Sequence, residues 1–286
     1  GPSRSEGHSP VKLLHLTDIH LTPPPGTIAG RDPVANLDRA LDHALAAHAD
    51  AKAIFVTGDL SDWGDAEDYA RLRARLADLP LPVHLGIGNH DDRATFLDHF
   101  PHLASDGFVQ YRVDLPGHVA LMLDTWEDGT HAGGFCAARA AWLHARLGEA
   151  DRPVLIFLHH NPVPIGIAPM DAIMLRDADR LGRVLDRHPG RVRHIFHGHC
   201  HLPLSGSFHG VPFSAPRGTN HAGWADFGNT GLLAGADLPE AYAVALVEDD
   251  SVLVHMIEYG YEVAGGTIRR EGSPDKAAWD RLTMVR

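Results

Sequence analysis

An α/β fold of two packed, mixed β-sheets flanked by helices is the architecture this sequence predicts, and three observations point to it. Short apolar runs alternate with amphipathic stretches of helical period from Val11 to Phe196. Strand-like runs then dominate the last third of the chain, which is the pattern of sheets packed together with helices outside. With 286 residues, 44% hydrophobic and 22% charged, the chain is of ordinary globular composition and can bury a core without disulfide staples.

Taken in order, Val11 to Thr17 reads as a buried strand that ends at Asp18-Ile19-His20, and the prolines at 23 to 25 mark a loop. From Pro33 to Ala49 the residues Val34, Leu37, Leu41 and Leu45 share a helical face, with Asp32 as N-cap and Pro33 at the first position. Ala53 to Thr57 is a second strand, ending at Gly58-Asp59; Asp65 to Leu79 is an amphipathic helix; Val83 to Ile87 is a third strand, ending at Gly88-Asn89-His90-Asp91. Phe108 to Leu115 alternates as a half-buried strand, and Val119 to Leu123 is apolar throughout. A helix over 137–147 precedes a strand over 154–158 that runs into His159-His160. A helix over 176–188 precedes a strand over 192–196 that runs into His197-Gly198-His199-Cys200-His201. Strands follow at 203–208, 211–215, 241–247 and 251–259, the last two joined as a hairpin across Asp249-Asp250. The Gly- and Asn-rich segment 219–236 reads as a loop over the sheet face.

Composition narrows the function. There are 37 acidic and 25 basic residues, a formal charge of −12, which disfavours a protein that coats DNA or RNA through phosphate contacts. A small anionic substrate stays open, because a bound metal can reverse the charge of a local site. The two cysteines, Cys136 and Cys200, have no CxxC spacing, which speaks for free thiols in a reducing compartment and against a structural zinc ribbon. Apolar runs such as 154–158 are too short to span a bilayer, and the N-terminus lacks a basic patch before an apolar stretch, so a cytoplasmic protein without a signal peptide is expected. Gly1-Pro2-Ser3 resembles the remnant of a cleaved tag, and residues 1–10 are set outside the fold. Residues 11–286 are expected to form one domain. Its strand-rich part, about 203–286, offers Leu232-Leu233 and Ala241 to Val247 as material for a homodimer or higher homo-oligomer interface.

Five groups of metal-ligand residue types stand at the ends of five predicted strands: Asp18 with His20, Asp59, Asn89 with His90, His159 with His160, and His197 with His199 and His201. Singly, each has an ordinary explanation as a cap, a turn residue or a satisfied polar group. Together they are not explained that way, because loops at the carboxyl ends of strands in open α/β sheets converge on one crevice. Oxygen and nitrogen donors suit Mn, Fe, Co or Zn. There are too many donors for one tetrahedral ion, and Asp59 stands alone as a candidate bridge, so two metals is the economical reading.

The strings Asp18-Ile19-His20, Gly58-Asp59, Gly88-Asn89-His90-Asp91, His159 and Gly198-His199-Cys200-His201 resemble, in order and spacing, the motif series of the calcineurin-like metallophosphoesterases. Within that superfamily the sequence is most similar to the bacterial class III cyclic nucleotide phosphodiesterases and related glycerophosphodiesterases, through Gly30-Arg31-Asp32-Pro33, His159-His160-Asn161-Pro162, Pro169-Met170-Asp171 and, weakly, Gly218-Thr219-Asn220-His221. Asn161 stands where relatives commonly carry Pro, at a position that is not a ligand. The resemblance implies an αββα sandwich. It implies one metal held by Asp18, His20 and His201, a second held by Asn89, His159 and His199, and Asp59 bridging both. It implies that His90 faces the substrate phosphate and leaving group, that His221 lies beside the metals or faces the substrate, and that His131 matches a phosphate-contacting position. Other branches fit less well. The run Asp59-Leu60-Ser61-Asp62-Trp63-Gly64 lacks the Arg of the protein Ser/Thr phosphatases, and His90 stands where lipid A pathway hydrolases tend to have Arg. Non-catalytic scaffold relatives have lost ligands, whereas none is missing here.

The chemistry implied is hydrolysis of a small phosphodiester by a hydroxide bridging two metal ions, with His90 hydrogen-bonding or protonating the departing oxygen. Cyclic nucleotides such as 3′,5′-cyclic AMP come first, on the Gly30-Arg31-Asp32-Pro33 string, and glycerophosphodiesters second. A phosphomonoesterase and a metal-bound interaction module of low turnover are the remaining readings. Metal-bound histidines need their other ring nitrogen fixed, with Asp91 expected for that duty ahead of Asp62. Cys200 is expected to point away from the metals, and Met170 and Asp171 to lie in a loop that shapes the pocket.

Overall fold

The computed structural model describes residues 10–228 and 231–259. The proposed tag remnant at 1–9 and the end of the domain assignment, 260–286, lie outside the described residues. In chain order the strands are β1 (Val11–Leu16), β2 (Ala53–Thr57), β3 (Val83–Gly86), β4 (Tyr111–Leu115), β5 (His118–Met122), β6 (Val154–Phe157), β7 (Val192–Phe196), β8 (Leu204–Phe208), β9 (Val211–Ala215), β10 (Ala222–Gly223), β11 (Gly235–Ala236), β12 (Ala241–Val247) and β13 (Val252–Glu258). The helices are α1 (Pro33–Ala47), α2 (Ala66–Leu76), α3 (Arg93–His99), α4 (Ala137–Glu149), α5 (Ala168–Asp171) and α6 (Ala178–Asp186).

One sheet has the order β13-β12-β1-β2-β3 and the other β4-β5-β6-β7-β9-β8. In the first, β1, β2 and β3 run parallel and β12 pairs antiparallel with β1; in the second, β5, β6, β7 and β9 run parallel. The sheets pack through Leu13, Phe55, Leu155, Phe157 and Phe196, where the rings of Phe55 and Phe157 stack at 3.9 Å and those of Phe157 and Phe196 at 4.7 Å. On the outer face of the first sheet, Leu14, Ile54 and Val56 meet Leu37, Leu41, Tyr69, Leu72 and Phe96 from α1, α2 and α3. On the outer face of the second, Val119, Ile156 and Ile195 meet Leu143, Leu147, Leu181 and Leu185 from α4 and α6. These parallel strands are buried on both faces, which is why they read as unbroken apolar runs and not as alternating ones.

Several expectations need correction. Ala241 to Val247 is not surface: β12 lies inside its sheet, flanked by β1 and β13, so among the described residues the exposed large apolar side chains of the C-terminal part are Trp224, Phe227, Leu232, Leu233 and Leu253. The 219–236 segment carries the small antiparallel pair β10 and β11. Met170 and Asp171 belong to the single helical turn α5, not to a loop. Helix α3, capped by the Asp92 side chain on Thr95 N at 2.8 Å, was not expected. The Gly30-Arg31-Asp32-Pro33 string has a structural role: Asp32 caps α1 at Val34 N and Ala35 N, and Arg31 binds Asp237 and Glu240 near β12.

Candidate metal centre

Because the parallel strands of each sheet point the same way, the segments after β1, β2, β3, β6 and β7 meet at one edge of the sandwich. Main-chain bonds extend the strand register into the loops: His20 N donates to Asp59 O at 2.8 Å, Leu21 N to Leu60 O at 2.9 Å, and Asp62 N to Leu21 O at 2.8 Å. Five candidate ligands adopt left-handed backbone: Asp18 (φ 55°), His20 (53°), Asp59 (49°), His199 (71°) and His201 (52°). Such conformations are costly for residues with side chains and persist where the surroundings over-determine them, commonly at functional sites. No side chain fits where the loops cross. A Cβ on Gly58 would lie 2.7 Å from His159 Nδ1, and one on Gly88 would lie 2.3 Å from Asp59 Oδ1.

The hydrogen bonds set the tautomers. His20 Nδ1 donates to Asp62 Oδ1 at 2.8 Å, and His201 Nδ1 donates to the His221 carbonyl at 2.8 Å. Each ring therefore turns an Nε2 lone pair on the other, 3.2 Å away. His159 Nδ1 donates to the Thr57 carbonyl at 2.7 Å, so Nε2 is the nitrogen turned toward Asn89 Oδ1 at 3.1 Å and Asp59 Oδ2 at 3.4 Å. Acceptors converging on acceptors in a buried space repel unless a cation lies among them, and the neutral, oriented imidazole is the form that ligates. His199 Nε2 is buried without a hydrogen-bond partner. The donor set thus fits divalent cations. Asp18, His20, Asp59 and His201 bring ligand atoms within 4.8 Å of one another. Asp59 Oδ2 lies between the two groups, 3.6 Å from His20 Nε2 and 3.4 Å from His159 Nε2.

Electrostatics agree. Burial opposes a charge on Asp59, but His159 and its neighbours hold the carboxyl well below its usual range. Burial likewise opposes a charge on His159, yet Asp59 lifts its pKa to about 9, so without a cation Nε2 holds a proton in the place a bound ion would take. The carboxylates make this a place that attracts positive charge.

His160 stands next to a ligand but does not join the set. Its Nδ1 meets Thr125 Oγ1 at 2.7 Å and its Nε2 the His131 carbonyl at 3.1 Å, which occupies both nitrogens. His197 turns Nδ1 on the Gly198 carbonyl. The expected order of Asp91 and Asp62 is reversed. Asp91 accepts from Leu60 N, Ser61 N, Gly88 N and the Tyr69 hydroxyl, which ties two loops together, while Asp62 is the carboxylate that orients His20. The signal was in the register. Leu13 pairs with Ala53, and the same offset carried through the loops pairs Leu21 with Ser61 and sets Asp62 beside His20.

The expected substrate-facing residues gather at the rim. His90 gives its Nδ1–H to the Asp62 carbonyl at 3.0 Å, and its ring is 4.8 Å from that of His20 and 5.2 Å from that of His131. Asn89 Nδ2 donates to His131 Nδ1 at 2.9 Å. His221 lies with its ring 4.1 Å from that of His201, and burial, then His201 and His20, hold it neutral, with a pKa near 2. Cys200 points away, packed on Ile167 and Met170. No helix among the described residues is long and apolar enough to cross a membrane.

Residues 11–203 match the family model described as calcineurin-like phosphoesterase. The chain is 36% identical over 258 residues to a probable cyclic nucleotide phosphodiesterase of Rhodopseudomonas palustris, covering 88% of this chain and 94% of that protein. It is 38% identical over 155 residues to the glycerophosphodiester phosphodiesterase GpdQ of Enterobacter lignolyticus, covering 52% of this chain and 55% of that one. Among solved structures, the purple acid phosphatase PPD1 of yellow lupin shares the fold, with a TM-score of 0.61 at 14% identity over 92% of this chain and 53% of that one.

Proposed function

This chain belongs to the calcineurin-like phosphoesterase family, and from that premise we propose that it hydrolyses small phosphodiesters at a two-metal centre, with 3′,5′-cyclic nucleotides such as cyclic AMP ahead of glycerophosphodiesters. The observation that carries the reading is the pair of donor groups that share Asp59. Asp18, His20 and His201 would hold one ion and Asn89, His159 and His199 the other, with Asp59 between them. When bound, divalent cations supply Lewis-acid charge for the phosphoryl oxygens and activate water. Asp62, the Thr57 carbonyl and the His221 carbonyl hold the ligand imidazoles in the tautomer that presents Nε2. Asn89 is a neutral ligand, so it leaves its ion more electrophilic than a carboxylate would.

His90 is the proton donor in this reading. Its Nδ1–H is held by the Asp62 carbonyl at 3.0 Å, with the Asp62 carboxylate 3.5 Å from the same nitrogen, which turns Nε2 toward the centre. Nε2–H then gives its proton to the departing ester oxygen. Asn220 Nδ2 donates to His221 Nδ1 at 3.3 Å, and Asn89 donates to His131 Nδ1, so both histidines keep Nε2–H to offer a phosphoryl oxygen. The preference for cyclic nucleotides rests on the similarity that runs over most of both chains, whereas the GpdQ likeness covers about half of each.

The test compares kcat/KM of Mn-loaded enzyme on 3′,5′-cyclic AMP and on glycerophosphoethanolamine, with metal content measured on the same sample. Two ions per chain and a preference for cyclic AMP are expected, and Asp59→Ala and Asn89→Ala should remove most turnover of both substrates. Full diesterase activity in Asp59→Ala with saturating metal would sink the two-metal reading.

A further inference from the structure

Beside the candidate metal ligand His201 and its neighbour His221 lies a cavity of about 240 Å³ that the reaction described above does not use. Ile167, Met170, Cys200, Leu202, Trp224 and Leu233 form its apolar walls. It sits between the turn that carries α5 and the segment joining β10 to β11. Phe227 reaches across to Gly166, where a Cβ would come within 3.5 Å of its ring, so the two segments close over one another at the cavity's edge. Trp224 (56% exposed) and Leu233 (55%) carry the apolar lining out to the surface.

We infer that this cavity is the specificity subsite for one ester arm of the phosphodiester, and that the arm it takes is uncharged and aromatic, of nucleobase size. The inference rests on the proposed diesterase reading and deepens it. A phosphate at the metal centre has His201 and His221 beside it, and those two side chains also line the cavity, so an arm leaving the phosphate on that side enters it directly. No Asp, Glu, Lys or Arg lines it, so an ammonium-bearing arm would lose its hydration there and gain no counter-ion. The indole of Trp224 and the thioether of Met170 suit the face of a flat ring. The volume is that of a small ligand group and not of a polymer. Cys200 is buried and packs on Ile167 and Met170, so it contributes an apolar wall.

The experiment uses the Mn-loaded full chain and two diesters with the same leaving group and charge, phenyl p-nitrophenyl phosphate and methyl p-nitrophenyl phosphate. The wild type should favour the phenyl ester by ~10-fold or more in kcat/KM. Leu233→Asp and Trp224→Ala, both at half-exposed positions, should shrink that ratio toward unity, chiefly through KM of the phenyl ester. Equal kcat/KM for the two esters in the wild type, or a ratio that neither variant changes, overturns the subsite while leaving the diesterase reading intact. No turnover of either ester overturns both.

Discussion

His90 and Asp62 carry the most testable chemistry at the scale of single residues. Asp62 serves two imidazoles at once, His20 through Oδ1 at 2.8 Å and His90 through its carbonyl at 3.0 Å. If His90 supplies the proton to the leaving oxygen, its effect must scale with how poor that leaving group is. His90→Ala should therefore lower kcat/KM for cyclic AMP by ~100-fold or more, and for bis(p-nitrophenyl) phosphate, whose leaving group needs no proton, by less than ~10-fold. Equal losses on both substrates would make His90 a positioning residue and not the acid. The sequence could name the donors because each is a residue type at a strand end. It ranked Asp91 above Asp62 because neighbourhood along the chain says little about which loop a carboxylate faces; Asp91 is drawn inward by four donors, and burial together with Asp59 raises its pKa to about 6.

At the scale of elements, local chemistry was legible where one side chain decides it. Asp32 caps α1 through two backbone amides at 3.0 and 3.1 Å, with Pro33 following at the first helical position. Asp32→Ala should cost ~1 kcal/mol, or ~2–4 °C in thermal midpoint, with kcat/KM for cyclic AMP unchanged within twofold. A stable variant with lost activity would return the string around Asp32 to the substrate site. The hairpin of β12 and β13 formed across Asp249-Asp250 as its pattern required, with Val247 opposite Val252. Helix α3 leaves little trace in the sequence because its cap, Asp92, directly follows the ligand string and its seven residues bury a single large side chain, Phe96. The pair β10 and β11 is two residues long on each side, too short for any alternation to show.

For the whole molecule, the layer between the sheets sets how the fold responds to pH. His15 packs on Phe157 and Phe196, His194 on Phe196 and His84 on Phe55. Burial, reinforced for His15 by His197 and His194, lowers their pKa values to about 3 for His15 and about 4 for His84 and His194. Below the unfolded value near 6.5 the unfolded chain takes up protons that the fold refuses. Stability from these groups is complete above pH ~6.5 and is lost as pH falls from there toward about 4. The thermal midpoint of the chelator-treated protein should drop by ~5 °C or more across that window, and His15→Leu should flatten the slope; an unchanged slope would show that His15 does not titrate there. The sequence by itself determined the layered class and the identity of the metal-ligand candidates. Burial on both faces of a strand leaves an apolar run, and ligands at strand ends leave polar strings after those runs. Only the tertiary structure decided which ring nitrogens face the centre, that Asp62 and not Asp91 orients His20, that β12 is interior, and that an apolar cavity opens beside His201. Each of these depends on the register between segments far apart in the chain, such as His20 and His201, which are 181 positions apart and 3.2 Å from Nε2 to Nε2. Such a register is a property of paired backbones, and no single stretch of side chains encodes it.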